Sequence, residues 1–484
     1  MLARILAYAL SPMISALLGL SPPGTPVADE PELAPDGELD PLEAAAEATA
    51  PVVLAEQVID VILPCGVRVI TAKDASLPVA AVVLAIEVGT RDDPDKLPGL
   101  IHALAYHLQQ GNRELAPGEG IATAHDSGGL AAMAVGVGQV RFESLVPVSA
   151  LDAQLRVEAL RLRAPSTGRE LWLKSLSYAR NDDGIKLVIP REAMAAAWNE
   201  PSLEHDGRGV GQALGDMVEQ SLGAQLARVF DYRHATLVVV GPDDPQALLE
   251  RVEVLFAGLP PKPRKTIAPA TPPKPAGAAP RVLRLPRQAG DTMVWAVPGS
   301  PQARAWAQVL CGTLNRQKRG AEELAKARLR CTYADDPRRP LLVVRAIGFE
   351  PEQGPEPMIA ARLARIAAAE AEPELAAIIE DQRARIESDL AFSLRAPLEL
   401  ASYLASAAER RDPADTRLAL RPRAQVLGLP QLATEPSATA QLGAVIPGLL
   451  DTRAGVLLLN PEQPAPTPVH EQPAAQPPAQ VETP

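Results

Sequence analysis

The hydrophobic pattern of the first half predicts strands, then helices, and then one more strand and helix. The segment VIDVILPCGVRVITAKD contains two short apolar runs around a turn at Cys65–Gly66, and PVAAVVLAIEVG over 78–89 indicates a third strand that is apolar on both faces. Apolar residues recur at helical spacing over 149–165, and a strand over 234–242 precedes an amphipathic helix over 244–260. This order predicts an α+β domain.

The second half of the chain repeats this plan. RVLRLP and DTMVWAVPG are typical of strands, SPQARAWAQVLCGTLNRQ of a helix, and RCTYADDPRRPLLVVRAIGFE of a hairpin-like pair. Ala-rich helices over 356–370 and 373–411 and a strand over 454–462 complete the half. We therefore expect two homologous α+β domains, each a mixed or antiparallel sheet with helices on one face.

Clusters of proline mark the segments outside these domains. The sequence has 50 prolines in 484 residues, against a usual share of about 5%. The predicted organisation is a signal peptide over 1–28, a disordered spacer over 29–51, a first domain over 52–260, a Pro-rich linker over 261–280, a second domain over 281–462 and a disordered tail over 463–484.

The N-terminus has the form of a secretory signal peptide. Arg4 precedes an apolar run to Leu20, and PVA, ending at Ala28, supplies small residues for cleavage. No later segment of the sequence reaches the roughly 18 apolar residues of a membrane span. We expect a periplasmic or secreted protein with no stable membrane span after cleavage; a retained N-terminal anchor is the alternative.

Charge and cysteine content narrow the classes of function. The formal net charge of −12 argues against non-specific nucleic-acid binding, which needs a basic surface. The three cysteines, Cys65, Cys311 and Cys331, lack metal-ligand spacing, and an odd number does not indicate a disulfide framework. We expect three free thiols that pack as small hydrophobic side chains.

Four stretches occur in this order over about 54–462: LPCGVRVI, VVLAIEVGTRDDPDKLPGLIH, SLVPVSALDAQLRVEALRLRAP and HATLVVVGPDDPQALLERVEVLFAGLP. In these segments and their order the sequence resembles the pitrilysin/insulinase family of zinc metallopeptidases, in its processing-peptidase-like branch. The resemblance implies two α+β domains that face each other across a chamber, and a zinc site on the helix that begins after Pro98–Gly99.

The zinc motif of that family is degenerate in this chain. The family's H-x-x-E-H helix supplies two zinc-binding histidines and a glutamate that activates the zinc-bound water. Aligned without gaps, His102 matches the first ligand, Ala105 stands at the glutamate and Tyr106 stands at the second histidine. His107 falls one position late, and one residue rotates a helix by about 100°, so we expect its side chain to point away.

The family's third zinc ligand is a glutamate on a later helix. The matching helix here is GRELWLKSLSYARNDDG, in which Glu170 matches an upstream glutamate and Ser177 stands at the ligand position. Asp182 and Asp183 follow in the next turn. The resemblance therefore implies that the general base and two of the three ligands are missing, and that zinc hydrolysis is lost with them.

Active family members also use an arginine and a tyrosine of the second domain to hold the substrate backbone. In the stretch LAKARLRCTYAD, Tyr333 matches the tyrosine and Lys326 takes the place of the arginine, with Arg328 and Arg330 as nearby substitutes. Lysine keeps the charge but loses bidentate geometry. An ordinary basic helix end followed by a strand aromatic is the alternative.

The remaining histidines carry weaker signals. His125 in ATAHDSGG and His205 in SLEHDGRG are typical of polar loops near solvent. A metal site made of His102, His107 and His125 stays open as an alternative.

We expect a catalytically inactive peptidase-like subunit that supports substrate binding, or assembly with an active zinc-peptidase paralogue or another protein partner. Peptides are candidate ligands, and neither a cofactor nor a nucleic-acid partner is expected. Two alternatives stay open: an active zinc metalloendopeptidase with a rearranged site, which would require zinc, and a purely structural assembly subunit.

Overall fold

A computed structural model describes most of the two predicted domains. The described residues are 57–94, 96–163, 167–182, 190–204, 212–265, 280–285, 291–298, 301–316, 328–334, 339–347, 355–368, 373–409, 419–422 and 438–459. They belong to one compact unit that begins at Val53. The predicted signal peptide, spacer and tail lie outside the described ranges, as do Lys326, Asp183 and His205.

Runs of strands and runs of helices follow one another along the described chain. The strands are β1 Gln57–Ile62, β2 Arg68–Lys73, β3 Val79–Ile86, β4 Leu130–Val135, β5 Val140–Pro147, β6 Ala235–Gly241, β7 Arg281–Arg284, β8 Thr292–Ala296, β9 Arg328–Ala334, β10 Leu341–Ile347, β11 Ala419–Pro422 and β12 Val456–Leu459. The helices are α1 Leu100–Gln110, α2 Glu119–Asp126, α3 Leu151–Arg163, α4 Arg169–Asn181, α5 Arg191–Trp198, α6 Gln212–Gly215, α7 Glu219–Val229, α8 Pro245–Phe256, α9 Pro301–Asn315, α10 Glu356–Ala367, α11 Pro373–Ser393, α12 Pro397–Glu409 and α13 Ala438–Leu449. None of the described helices is both long and apolar enough to cross a membrane.

The strands form two mixed sheets. The first sheet has the order β11-β1-β2-β6-β3-β5-β4, in which only β2 and β6 run parallel. The second has the order β7-β12-β8-β10-β9, with β12 parallel to β7. The predicted α+β class is therefore confirmed.

The main core of each half lies between a sheet and the helices packed on one of its faces. In β3, Val82 and Leu84 point to the first core together with residues of α1, α3, α4, α7 and α8. Alternate residues of β3, Ala81 and Val83, point to the other face of the sheet and are also fully buried. The strand is thus apolar on both faces, as its sequence predicts.

Each sheet has its second face covered by a helix from the other half of the chain. α12 packs Leu400 and Leu404 against the first sheet, and β11 extends the same sheet beside β1. α5 packs Met194 and Trp198 against the second sheet, where Val294 and Leu458 point away from the second core. The sequence predicted helices on only one face of each sheet. Strand alternation shows that the second face is apolar, but it does not show which distant segment covers that face.

Arg68 of β2 fixes the end of the exchanged helix α12. Its Nη1 donates to the carbonyl oxygen of Ala408, 3.1 Å away. The same guanidinium is held by a buried pair of hydrogen bonds to Asp60, at 2.8 and 2.6 Å. A charged donor thus satisfies a carbonyl in the last turn of α12, where helical partners are missing.

The predicted helix over 373–411 is divided in two. α11 ends at Ser393, and α12 begins at Pro397. Proline fits the first position of a helix because it lacks the N–H that would have no partner there. The break lets α11 pack in the second half while α12 packs on the first sheet.

The expectation of three free thiols is wrong for two of them. Cys311 of α9 and Cys331 of β9 form a disulfide with a Cα–Cα distance of 5.1 Å, and only Cys65 among the three is a free, buried thiol. The side chain of Asn315 reinforces the link through two 2.8 Å hydrogen bonds to the backbone of Cys331. The cysteine count could not reveal the pair, because it depends on the packing of α9 against β9.

Candidate functional site

The helix that carries His102, Ala105 and Tyr106, α1, is anchored at its N-terminus by Asp93. One carboxylate oxygen of Asp93 accepts the N–H of Gly99 at 2.7 Å, and the other accepts the N–H of Ile101 at 2.8 Å. Gly99 has a φ of 80°, a conformation that favours glycine. The buried Asp93 therefore satisfies two amides at the helix start, where a negative charge is favourable.

The C-terminal end of α1 is held from α3. Nη1 of Arg161 donates to the carbonyl oxygen of Leu108 at 2.9 Å, and Nε of Arg161 is paired with Glu158 at 2.8 Å. The guanidinium also lies 4.0 Å from the ring centroid of Phe142. Both ends of α1 are thus fixed by charged side chains, which gives the residues between them a defined position.

His102 and Tyr106 of α1 both bind the carboxylate of Asp182, which directly follows α4. Nε2 of His102 lies 2.9 Å from Oδ2 of Asp182, and the hydroxyl of Tyr106 donates to the same oxygen at 2.9 Å. His102 is buried, whereas the side chain of Asp182 is 36% exposed. We call these three residues the Asp182 cluster; it reaches from the helix interface to the solvent.

Tyr106 is set up as a hydrogen-bond donor in this cluster. Its pKa is raised well above the usual range, first by burial, then by the negative charge of Asp182 and by the hydrogen bond to it. The ring of Tyr106 also stacks on Tyr178 of α4, with 6.1 Å between centroids. The phenol therefore stays protonated near neutral pH, where a deprotonated phenolate would be needed for strong metal binding.

His107 occupies a different environment from His102. It is fully buried, its Nδ1 lies 3.3 Å from the hydroxyl oxygen of Ser175, and its ring meets Trp172 edge-on with 5.8 Å between centroids. The indole N–H of Trp172 in turn donates to the carbonyl of Leu214 at 2.8 Å. These contacts place His107 in the core between α1 and α4.

The side chains at the other positions matched to the family's zinc motif are not of the types that bind zinc in proteins. Ala105 is fully buried in the core, and Ser177 is exposed on α4. In the described part of the chain, no group of three or more His, Cys, Asp or Glu side chains could hold a metal ion. The zinc ligand set of the family therefore does not fit the residues present, because zinc sites use at least three protein ligands.

Strand alternation separates the candidate residues of β9. Leu329, Cys331 and Tyr333 point to the second core, where the half-buried ring of Tyr333 packs. Arg330 is exposed and lies on the opposite face of the strand, so it does not share a face with Tyr333. Lys326 lies outside the described residues, and its pairing with Tyr333 stays a prediction.

His125 differs from the loop residue that the sequence indicated. It lies in the last turn of α2 and is exposed to solvent. The flanking Gly128, with a φ of 81°, is the glycine that turns the chain away after the helix. His205 falls outside the described residues.

Asp182 is the site residue that sequence reasoning did not assign. The sequence placed it only in the turn after the ligand helix, because the family's ligand register points to Ser177. The sequence did contain one signal for Asp182. It is a carboxylate at the end of α4, the helix that matches the one carrying the family's third zinc ligand. Its backbone, with φ −73° and ψ 133°, leaves the helix at this residue.

Three solved protease structures share this architecture. A protease from Helicobacter pylori superposes with a TM-score of 0.64 at 15% identity, over 83% of this chain and 99% of that one. The periplasmic protease PqqL from Escherichia coli gives 0.63 at 14% identity, over 83% of this chain and 47% of PqqL. Pitrilysin gives 0.58 at 14% identity, over 85% of this chain and 46% of pitrilysin.

The chain has the fold of pitrilysin-like proteases. It spans nearly the whole of the Helicobacter pylori protease but only about half the length of PqqL and of pitrilysin. The sequence matches no protein-family model, and a search of curated proteins found no relative.

Proposed function

We propose that this chain is a non-hydrolysing member of the pitrilysin-like proteases, which binds a polypeptide without cleaving it and works beside an active zinc-peptidase paralogue. The observation that carries the proposal is the Asp182 cluster. Nε2 of His102 is hydrogen-bonded to Asp182, and Ala105 cannot take a proton from a water molecule.

The edge of the first sheet supports polypeptide binding. β4 is the outermost strand on its side of the sheet and lies next to α1. Its side chains are half-buried or exposed, and Leu130 is 40% exposed. An extended polypeptide can add to such an edge through backbone hydrogen bonds. Binding there needs no metal, so it survives the loss of the catalytic residues.

The disulfide supports an exported protein. Disulfides persist in oxidising compartments such as the bacterial periplasm and are rare in the cytosol. The Cys311–Cys331 link therefore agrees with the signal peptide predicted at the N-terminus. On this proposal the paralogue and the polypeptide ligand are met in the periplasm or outside the cell.

The proposal is tested with the purified full chain. We expect no cleavage of a quenched-fluorescent peptide library and no bound zinc by mass spectrometry, with an active pitrilysin-like protease as positive control. The same peptides should bind, and a proline placed at Ala131 in β4, whose N–H faces away from β5, should weaken binding without changing the circular dichroism spectrum. Cleavage that depends on zinc and is lost in His102→Ala would overturn the proposal in favour of an active, rearranged metallopeptidase.

Co-purification distinguishes the proposed function from that of a purely structural assembly subunit. We expect a tagged chain, expressed in its native host, to recover a protein with an intact H-x-x-E-H motif. Recovery of a large complex without any such peptidase would instead favour a purely structural assembly subunit.

A further inference from the structure

The Asp182 cluster occupies the interface at which a pitrilysin-like protease would hold its metal. His102 and Tyr106 are four residues apart, so they lie on one side of α1. Asp182 approaches the same side from the end of α4, and one of its oxygens contacts both residues. We infer that the Asp182 carboxylate takes the place of the third ligand, which the family carries at the position of Ser177. We also infer that this carboxylate joins α1 to α4 in place of a metal ion.

The distances support this assignment of Asp182 to the third ligand position. Two ligand atoms on a tetrahedral zinc lie about 3.3 Å apart, because each is about 2.0–2.1 Å from the ion. Nε2 of His102 and Oδ2 of Asp182 are 2.9 Å apart, which a shift of a few tenths of an ångström would convert into a ligand pair. Ser177, by contrast, is exposed on α4.

The third member of the cluster explains why the natural chain uses hydrogen bonds instead of a metal. The Tyr106 hydroxyl donates a hydrogen bond to Asp182 and keeps its proton, and a neutral phenol is a poor ligand for a divalent cation. The carboxylate is satisfied by two donors, one from His102 and one from Tyr106. Among the described residues of the cluster, two good metal donors remain, His102 and Asp182, one fewer than zinc sites in proteins use.

The inference predicts that one substitution creates a metal site. Tyr106→His places a second imidazole at the i+4 position from His102, the spacing of paired zinc-binding histidines on a helix. Together with Asp182 this makes two histidines and one carboxylate. We expect Tyr106→His to bind one equivalent of zinc, and to give the intense absorption of four-coordinate cobalt(II) when cobalt is supplied.

The experiment compares five full-length chains: wild type, Tyr106→His, Tyr106→His with Asp182→Ala, His102→Ala, and Tyr232→His as a matched control that adds an imidazole elsewhere. Zinc and cobalt(II) binding are measured by equilibrium dialysis and absorption. We expect wild type, His102→Ala and the control to bind no stoichiometric metal. Asp182→Ala should weaken zinc binding by Tyr106→His by more than about tenfold, because it removes one of the three proposed ligands, and loss of a group that only supports a ligand already costs roughly 10–100-fold.

Three results would overturn the inference. The first is stoichiometric zinc in wild type that is lost in His102→Ala. The second is zinc binding by Tyr106→His that is indifferent to Asp182→Ala, and the third is a folded Tyr106→His chain that binds no zinc. The first result would also remove the support for the proposed function, whereas the second and third would leave that function standing.

The role of Asp182 as a link between the helices is tested separately, in case Tyr106→His fails to fold. Asp182→Ala breaks both hydrogen bonds of the cluster, whereas Tyr106→Phe breaks one. We expect Asp182→Ala to lower the Tm more than Tyr106→Phe does. An equal Tm in wild type and Asp182→Ala would contradict the inference.

Discussion

Glu200 and Arg339 form a two-pronged ion pair between the segment after α5 and the segment before β10. Nε of Arg339 lies 3.0 and 2.9 Å from the two carboxylate oxygens of Glu200, and Nη2 lies 2.8 Å from one of them. The guanidinium also lies over Trp198, 5.5 Å from the ring centroid. Because α5 covers the second sheet, this pair secures the exchanged helix at its C-terminal end.

Removal of this ion pair should loosen the contact between the two halves. We expect Glu200→Ala to lower the free energy of unfolding by about 1–2 kcal/mol, since charged hydrogen bonds contribute more than neutral ones but Glu200 is partly exposed. Urea unfolding measures the change. Arg453→Ala, which removes an exposed guanidinium from its pair with Asp451, should leave the midpoint unchanged. An equal effect of the two substitutions would contradict the prediction.

Asp93 should stabilise the site helix through its two backbone contacts. Asp93→Ala leaves two N–H groups at the start of α1 without their acceptor, which should cost about 1–2 kcal/mol of folding free energy. Hydrogen exchange should show faster exchange in α1. Asp244→Ala removes the N-cap of α8 and serves as the matched variant, because its loss should leave exchange in α1 unchanged.

The disulfide should stabilise the second half. Reduction of Cys311–Cys331, which are 20 residues apart, should lower the free energy of unfolding by about 3 kcal/mol. Urea midpoints with and without dithiothreitol measure the effect, and Cys311→Ala should abolish the difference while Cys65→Ala should preserve it. Alkylation of the unfolded, unreduced chain should label one thiol; labelling of three would refute the pairing.

Stability should fall on acidification because of His234. Its pKa lies below the ordinary value of about 6.5, because burial disfavours the imidazolium ion, and the charge of Glu87 only partly offsets this. The folded state therefore favours the neutral form of His234. Neutral His234 therefore stabilises the folded state above about pH 6.5. This stabilisation is lost as the pH falls, because His234 takes up a proton at higher pH in the unfolded chain than in the folded one.

The measurement for His234 is urea unfolding between pH 8 and pH 5. His234→Gln, which cannot take up a proton, should show a smaller loss of stability between pH 6.5 and pH 5 than wild type. Parallel curves for the two proteins would exclude His234 as the cause.

The first half should not be stable by itself. A chain ending at residue 265 lacks α12 and so exposes the sheet face that contains Val58, Ile70 and Val83. We expect it to aggregate or to expose apolar surface that binds a hydrophobic dye. In the full chain, Leu404→Ala should cost about 2–4 kcal/mol, because Leu404 is fully buried against that face. A monomeric, cooperatively folding fragment would contradict this prediction.

The sequence predicted the elements whose signals are local. β3 is apolar on both faces and lies buried inside the sheet, and the helix expected over 244–260 is α8, which Asp244 caps through the N–H of Gln246. These features depend on neighbours along the chain, so periodicity and capping rules suffice to find them.

The features that the sequence did not reveal all depend on contacts between distant segments. The helix that covers the first sheet comes from 397–409, and the pairing of Cys311 with Cys331 depends on how α9 meets β9. Asp182 was missed as a site residue because the alignment with the family points to Ser177. The backbone after α4 instead brings the carboxylate of Asp182, five residues later, into contact with His102.

The exchange of helices between the halves has a consequence for synthesis. The ribosome makes six of the seven strands of the first sheet, from Gln57 to Gly241, long before it makes α12 at 397–409. During that interval one apolar face of the sheet has no cover, and such surfaces are prone to aggregation. The nascent chain therefore cannot finish its first half in N-to-C order, and a chaperone that shields this face until residue 409 is made would increase the yield of folded protein.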